Sequence, residues 1–229
     1  MTISPPRSEQ ELMERTRRLA GMTLKQAARE LGLEPPSGQR RAKGWIGELA
    51  EVFLGASAGN LAEPDFQLIG VELKTLPVGA GGRPKESTYV CTVPLTDTAG
   101  LAWVTSTVKK KLSRVLWLPV EADPALPLAQ RRFGSALLWS PDERQEAALR
   151  SDWQELMDMV AMGELDHINS RYGRYLQIRP KAANARALGQ AYDEEGNPGM
   201  TLPRGFYLRT SFTRQILEAG DSLVVNRES

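Results

Sequence analysis

The sequence predicts a mixed α/β fold, and three observations carry that prediction. Stretches with the apolar spacing of helices intermix with short stretches that alternate every second residue. Capping signals and glycine or proline breaks separate them, and no segment repeats another. Of the 229 residues, 41% are hydrophobic and 25% charged, which supports a buried core and excludes wholesale disorder. At about 150 residues per domain, the length predicts one domain over residues 1–229, or two tightly joined lobes, and no linker divides the chain.

The elements follow in order. Ser8 with Glu11 forms a capping-box pattern, and Leu12, Thr16, Leu19 and Ala20 continue at helical spacing until Gly21. Thr23 with Gln26 repeats the device, with Leu24, Ala27, Ala28 and Leu31 on one face and Gly32 as terminator. After the break at Pro35, Pro36, Ser37 and Gly38, a third helix is spaced by Trp45, Leu49, Val52 and Phe53. Beyond the glycine-rich turn at 55–60 the period changes: Val71, Leu73 and Thr75 alternate with Glu72, Lys74 and Leu76, as on a strand. Residues 88–93, 114–121 and 133–139 read as further strands. The run Ser140, Pro141, Asp142, Glu143 predicts a helix start, with Ser140 as cap, and Leu149, Trp153, Leu156, Met157 and Val160 mark one face to about Gly163. The last third predicts a strand at 175–179, a helix at 181–191, a strand at 206–208 and a helix at 213–219.

Composition excludes several chemistries. The single cysteine, Cys91, cannot form an internal disulfide, and the single histidine, His167, leaves too few ligands for an ordinary zinc site. His167 lies in a polar stretch and no G-x-S-x-G elbow exists, so a Ser-His-Asp arrangement is not expected; His167 reads as a surface or structural residue and Cys91 as a buried strand residue. The polar, proline-bearing N-terminus and the lack of long apolar runs predict neither a secretory signal nor a membrane span, and a cytoplasmic location is expected.

Net charge is only +1, but it is segregated. Lys109, Lys110, Lys111 and Arg114 stand in an acid-free run, as do Arg171, Arg174, Arg179, Lys181 and Arg186, whereas residues 141–166 carry eight acids against two arginines. Such segregation can build a positive surface on a neutral protein, though separate solvated faces would read the same way.

One constellation carries chemistry. Pro64-Asp65 precedes Glu72-Leu73-Lys74, the chain's only [DE]-x-K. On a strand, side chains two apart share a face, so Glu72 and Lys74 stand side by side, and Asp65 can fold back against them. Two carboxylates held close repel unless a cation lies between them, which favours a hard divalent ion such as Mg²⁺. The Leu73 carbonyl can add a neutral ligand, and Lys74 can offset negative charge that develops in phosphodiester hydrolysis. Glu51 offers a further carboxylate from the upstream helix. The alternatives left open are an exposed Glu72–Lys74 ion pair, and Glu48 and Glu51 as solvated helix residues.

With those residues in place, the chain resembles the MutH family of mismatch-repair endonucleases, which are similar in fold to type II restriction enzymes. The resemblance runs through KGWIG at Lys43, DFQLIGVELKTLP at Asp65, KLSRVLWLPVE at Lys111, YLQIRPKAANA at Tyr175 and TLPRGFYL at Thr201. It implies a restriction-endonuclease-like core of mixed β-sheet flanked by helices, with two lobes around a DNA cleft. It also implies a Mg²⁺-dependent enzyme that nicks the unmethylated strand at hemimethylated GATC. Asp65, Glu72 and Lys74 match the family's metal-binding carboxylates and lysine, with Glu51 as supporting acid and Lys111 as a second active-site lysine. DNA contacts fall on Lys43, Tyr89, Arg179, Lys181 and Tyr207, the last where adenine methylation is sensed. Tyr89 stands where the family can carry Phe, and Lys110 where a different basic residue can occur. The implied partners are double-stranded DNA and MutL with ATP, and indirectly MutS, acting on a monomer. Two other readings are a GATC-specific restriction enzyme that cuts both strands, and a DNA-binding module without catalysis.

Overall fold

The structure is a computed structural model. It describes the backbone of residues 3–36, 39–59, 61, 63–181 and 188–225, and the side chains of these apart from 39–43 and 221–225. The elements run α1 (Glu9–Leu19), α2 (Leu24–Glu30), α3 (Gln39–Leu54), β1 (Glu72–Val78), β2 (Thr88–Thr92), α4 (Thr107–Leu112), β3 (Val115–Glu121), β4 (Leu137–Trp139), α5 (Glu143–Ala161), β5 (Leu176–Pro180), β6 (Gly189–Tyr192), β7 (Pro198–Thr201), β8 (Arg204–Leu208) and α6 (Thr210–Val225). The class is mixed α/β, as the periodicities predict. The chain divides into two compact units: Met1–Glu86, Ser113–Ser140 and Ile216–Ser229 form the first, and Ser87–Leu112 with Pro141–Gln215 the second.

In the first unit, β1 pairs in parallel with β3, with Glu72 opposite Val115 and Lys74 opposite Trp117, and β4 adds antiparallel to β3. Leu73, Leu116, Leu118 and Val120 meet Leu12, Leu19, Leu24, Leu49, Ala50 and Phe53 of α1–α3 in one core. The helices fit because their apolar stripes follow the 3.6-residue period, and the N-termini of α1 and α2 are capped. Ser8 Oγ accepts from Glu11 N, and Thr23 and Gln26 form a complete capping box. Glu11 itself reaches the backbone N–H of Arg7 rather than that of Ser8.

In the second unit, β2, β8 and β5 form an antiparallel sheet with β8 in the middle. Its buried face holds Val90, Cys91, Leu176, Ile178, Phe206 and Leu208, and α5 buries Leu149, Trp153, Leu156, Met157 and Val160, the stripe read from the sequence. Asp152 is the exception on that helix. Nearly fully buried, it accepts hydrogen bonds from the backbone N–H groups of Arg174 at 2.8 Å, Tyr175 at 2.6 Å and Leu176 at 2.8 Å. The sharp entry into β5 that aims these donors requires Gly173, at φ +72°, where a Cβ would lie 1.9 Å from the Leu176 carbonyl oxygen.

Three expectations are corrected. The cap of α5 is Asp142, paired with Gln145 in a full box; Ser140 instead donates to the Ser113 carbonyl at 2.7 Å. The strand expected over 133–139 is only Leu137–Trp139, with Phe133 in an isolated bridge to Val120. The helix expected over 181–191 gives way at its end to β6, which pairs with β7; residues 182–187, Arg186 included, lie outside the described residues. Alanine-rich helix propensity yields there to a hairpin whose turn is closed by Asp193 and Asn197. Cys91 is buried on β2 and His167 is largely exposed, as expected. No helix among the described residues is long and apolar enough to cross a membrane.

Candidate active site

The first unit gathers Glu51, Asp65, Glu72 and Lys74 around the start of β1. Backbone hydrogen bonding explains how Asp65 arrives there. The carbonyl of Asp65 accepts from the N–H of Ser57 at 2.8 Å, which ties it to the turn that leaves α3. A short 3-10 turn at Gln67–Ile69 then reverses the chain, with Phe66 and Val71 bonded across it. Asp65 is thereby folded back on the strand that follows.

The receiving group lies on the edge of β1 turned away from β3. The N–H of Glu72 points towards the neighbouring strand and donates to the Arg114 carbonyl at 2.9 Å. Successive residues of a strand point their backbone groups to opposite sides, so the N–H of Leu73 faces the open edge of β1. There it donates to Asp65 Oδ2 at 2.7 Å. The Leu73 carbonyl points along the same edge by the same rule, while its side chain is buried in the core.

Glu72 and Lys74 share a face, and Lys74 Nζ lies 2.6 Å from Glu72 Oε1. The side chains are only 2% and 13% exposed, so this is not the exposed ion pair that the sequence left open. Glu51, half-buried on α3, feels the same group: its carboxyl is pushed above the ordinary range by burial, then by the negative charges of Asp65, Glu48 and Glu72, with Lys74 opposing. Glu51 is therefore not merely a solvated helix residue.

This donor set can be tested against a divalent ion. Among the described residues, no three acidic, histidine or cysteine side chains form a ready-made cage. Two carboxylates beside a backbone carbonyl are nevertheless what a hard ion of the Mg²⁺ type uses, since it keeps most of its waters and takes one or two carboxylates from the protein. Burial first, and after it the negative charges of Asp65, Glu48 and Glu72, raise the Glu51 carboxyl, and carboxylates gathered in this way favour a positive charge among them. The residues fit such an ion.

The second unit carries the aromatic candidates and, Lys43 apart, the basic ones. Tyr89 on β2 and Tyr207 on β8 are directly opposite, their rings edge-on with centroids 5.4 Å apart. Arg179, on β5, places its guanidinium 5.8 Å from the Tyr207 ring centroid and donates to Ser87 Oγ at 2.6 Å. Lys181 Nζ lies 4.4 Å from the Tyr89 ring centroid. These four form one partly exposed cluster, and the strand pairing rather than any sequence spacing assembles it. Lys111 sits half-buried on α4, and Lys109 on the same helix pairs with Glu146 at 2.8 Å. Lys43 lies on α3, and its side chain is outside the described residues. Ser87 and Thr92, which bond members of the cluster, were not singled out in the sequence; strand alternation alone points neither to them nor to their partners.

A family model described as "DNA mismatch repair enzyme MutH" matches residues 54–152. The chain is similar to the DNA mismatch repair protein MutH of Vibrio parahaemolyticus serotype O3:K6, 54% identical over 212 residues that cover 93% of this chain and 94% of that protein. It is similar also to the DNA mismatch repair protein MutH of Escherichia coli strain K12, 54% identical over 215 residues that cover 94% of each chain.

Proposed function

From the premise that the chain belongs to the MutH family, with a restriction-endonuclease-like fold and a role in DNA mismatch repair, we propose that it is a Mg²⁺-dependent endonuclease. It nicks the unmethylated strand at hemimethylated GATC sites. The observation that carries this reading is the convergence of Asp65, Glu72, Lys74 and Glu51 at the open edge of β1.

Asp65, Glu72 and the Leu73 carbonyl would hold the ion, with Glu51 adding negative charge behind them. Bound there, Mg²⁺ would polarise the scissile phosphate and neutralise its charge. Lys74 places an ammonium beside Glu72, where it favours deprotonation of an attacking water and offsets charge growing on the phosphorus. Lys111 is the second active-site lysine of this reading. Lys43, Tyr89, Arg179, Lys181 and Tyr207 touch DNA: an arginine or lysine bonding guanine O6 and N7 contributes roughly 1 to 3 kcal/mol of discrimination. Tyr207 reads the adenine, because an N6-methyl group removes one donor hydrogen and adds bulk. Phosphate contacts alone give affinity that falls steeply with salt, so activation by MutL with ATP, after MutS has found a mismatch, supplies what the monomer lacks.

The test is a nicking assay on a hemimethylated GATC plasmid, with Mg²⁺ present or chelated, for the wild type and Asp65→Ala. Open circles that form only with wild type and Mg²⁺ are expected. Linear product would indicate a two-strand restriction enzyme, and DNA binding without any cleavage a non-catalytic module.

A further inference from the structure

On a regular strand, residues three apart point to opposite faces, and Tyr89 and Thr92 should therefore be strangers. They are not, because β2 carries a bulge. Tyr89 pairs with Tyr207, but Cys91 pairs with Phe206 and Thr92 with Gly205, so one extra residue is inserted at Val90. The bulge turns Thr92 onto the face that Tyr89 occupies, and their hydroxyls meet at 3.0 Å.

The same Tyr89 hydroxyl accepts a hydrogen bond from Lys181 Nζ at 2.8 Å. An ammonium can only donate, which leaves the phenolic hydrogen free to go to Thr92 Oγ1. Charge, phenol and hydroxyl thus form a chain in which each bond polarises the next. Lys181 belongs to the segment leaving β5, two strands away from Tyr89, and the side chains meet above the intervening strand. Gly205 makes room: a Cβ there would lie 2.9 Å from ring atoms of both Tyr89 and Tyr207.

We propose that Tyr89, aimed by the bulge at Val90 and backed by Thr92, is a positioning residue that holds Lys181 in its DNA-reading orientation and thereby sets sequence discrimination. This rests on the reading above that the cluster touches DNA. A long lysine left free samples many rotamers and loses that freedom on binding; one held beforehand loses less, and it presents its donors in a single place.

The experiment measures binding of a fluorescent GATC duplex and of a duplex with one base pair of the site changed, by anisotropy at low salt with EDTA. The proteins are full-length wild type, Tyr89→Phe, Thr92→Val, Lys181→Ala and Tyr89→Phe/Lys181→Ala. Tyr89→Phe keeps the ring and its contact with the ammonium and removes only the hydroxyl. It is expected to reduce the discrimination ratio about tenfold, as for loss of one hydrogen bond to a charged group at the low end of its range. Thr92→Val lowers it less, in the same direction, and serves alone should Tyr89→Phe fold poorly. Because the hydroxyl acts through the lysine, adding Tyr89→Phe to Lys181→Ala costs nothing further. An unchanged ratio in Tyr89→Phe or Thr92→Val, or an undiminished Tyr89→Phe effect in the Lys181→Ala background, overturns the proposal while DNA recognition stands. A wild type that does not prefer GATC overturns both.

Discussion

Lys74 Nζ stands 2.6 Å from Glu72 Oε1, and the two side chains are almost wholly withdrawn from solvent. A buried carboxylate stripped of the ammonium beside it is costly, so this pair couples chemistry to stability.

Lys74→Ala is expected to lower nicking by at least about a hundredfold, the usual scale for losing one group that stabilises developing charge. Anisotropy should still report DNA binding. Lys74→Arg should not restore the rate, because the planar guanidinium cannot occupy the compact position of an ammonium. Full nicking by Lys74→Ala would remove the lysine from the chemistry.

The Glu51 carboxyl is raised by burial and by its acidic neighbours. For a group whose folded pKa is raised, the stabilising contribution is present below the unfolded value and lost as pH rises through the folded one. Glu51→Gln should therefore melt at higher temperature than wild type at pH 7, with the gap closing towards pH 4. Mg²⁺ at ten times its dissociation constant should stabilise wild type by about 1.4 kcal/mol. A scan with and without EDTA checks this, and Glu51→Gln should gain less from the ion.

Asp152 takes three backbone N–H groups at the start of β5. Asp152→Ala leaves these donors without their acceptor, a loss of about 3 to 5 kcal/mol, and Asp152→Asn costs less because one oxygen still accepts. Urea midpoints measure both. A change under about 1 kcal/mol in Asp152→Ala would mean that the turn is held by Gly173 and packing alone.

Arg114 grips Glu9 with two hydrogen bonds, Nε to Oε1 at 2.7 Å and Nη2 to Oε2 at 2.6 Å, and so clasps α1 to the start of β3. The arginine holds the Glu9 carboxyl below its ordinary range. A lowered carboxylate contributes stability above its unfolded pKa and loses it as pH falls through the folded one. With both side chains partly solvated, Glu9→Gln should cost about 0.5 to 1 kcal/mol at pH 7 and close to nothing below pH 3, read from melts across that range.

Tyr207 stands edge-on to Tyr89 across the strand pair, the ring centroids 5.4 Å apart. Tyr207→Ala should narrow the preference for unmethylated over fully methylated GATC by about tenfold, the scale on which a packed site rejects one extra carbon. Comparison of nicking rates on the two plasmids decides it.

What lay open in the residues was local or periodic. Thr23 with Gln26 marked a cap because the bonds it makes lie within one turn, and the stripe of α5 showed because a helix buries every third or fourth residue. Glu72 and Lys74 were placed side by side by the two-residue repeat of a strand. What stayed hidden depended on partners distant along the chain. Ser140 has cap chemistry, but its hydroxyl is taken by Ser113, and Asp142 caps instead. Residues 189–192 pair with 198–201 whatever their helix propensity. Alternation could not foresee that one inserted residue at Val90 sets Tyr89 beside Thr92, or that Asp65 would spend an oxygen on the open edge at Leu73. Residue types and spacings by themselves determined which groups could do the chemistry and which faces had to be buried, since both follow from solvation and backbone period. Only the tertiary structure decided which groups meet, because a hydrogen bond between distant residues forms or fails on where strands pair and where chains reverse.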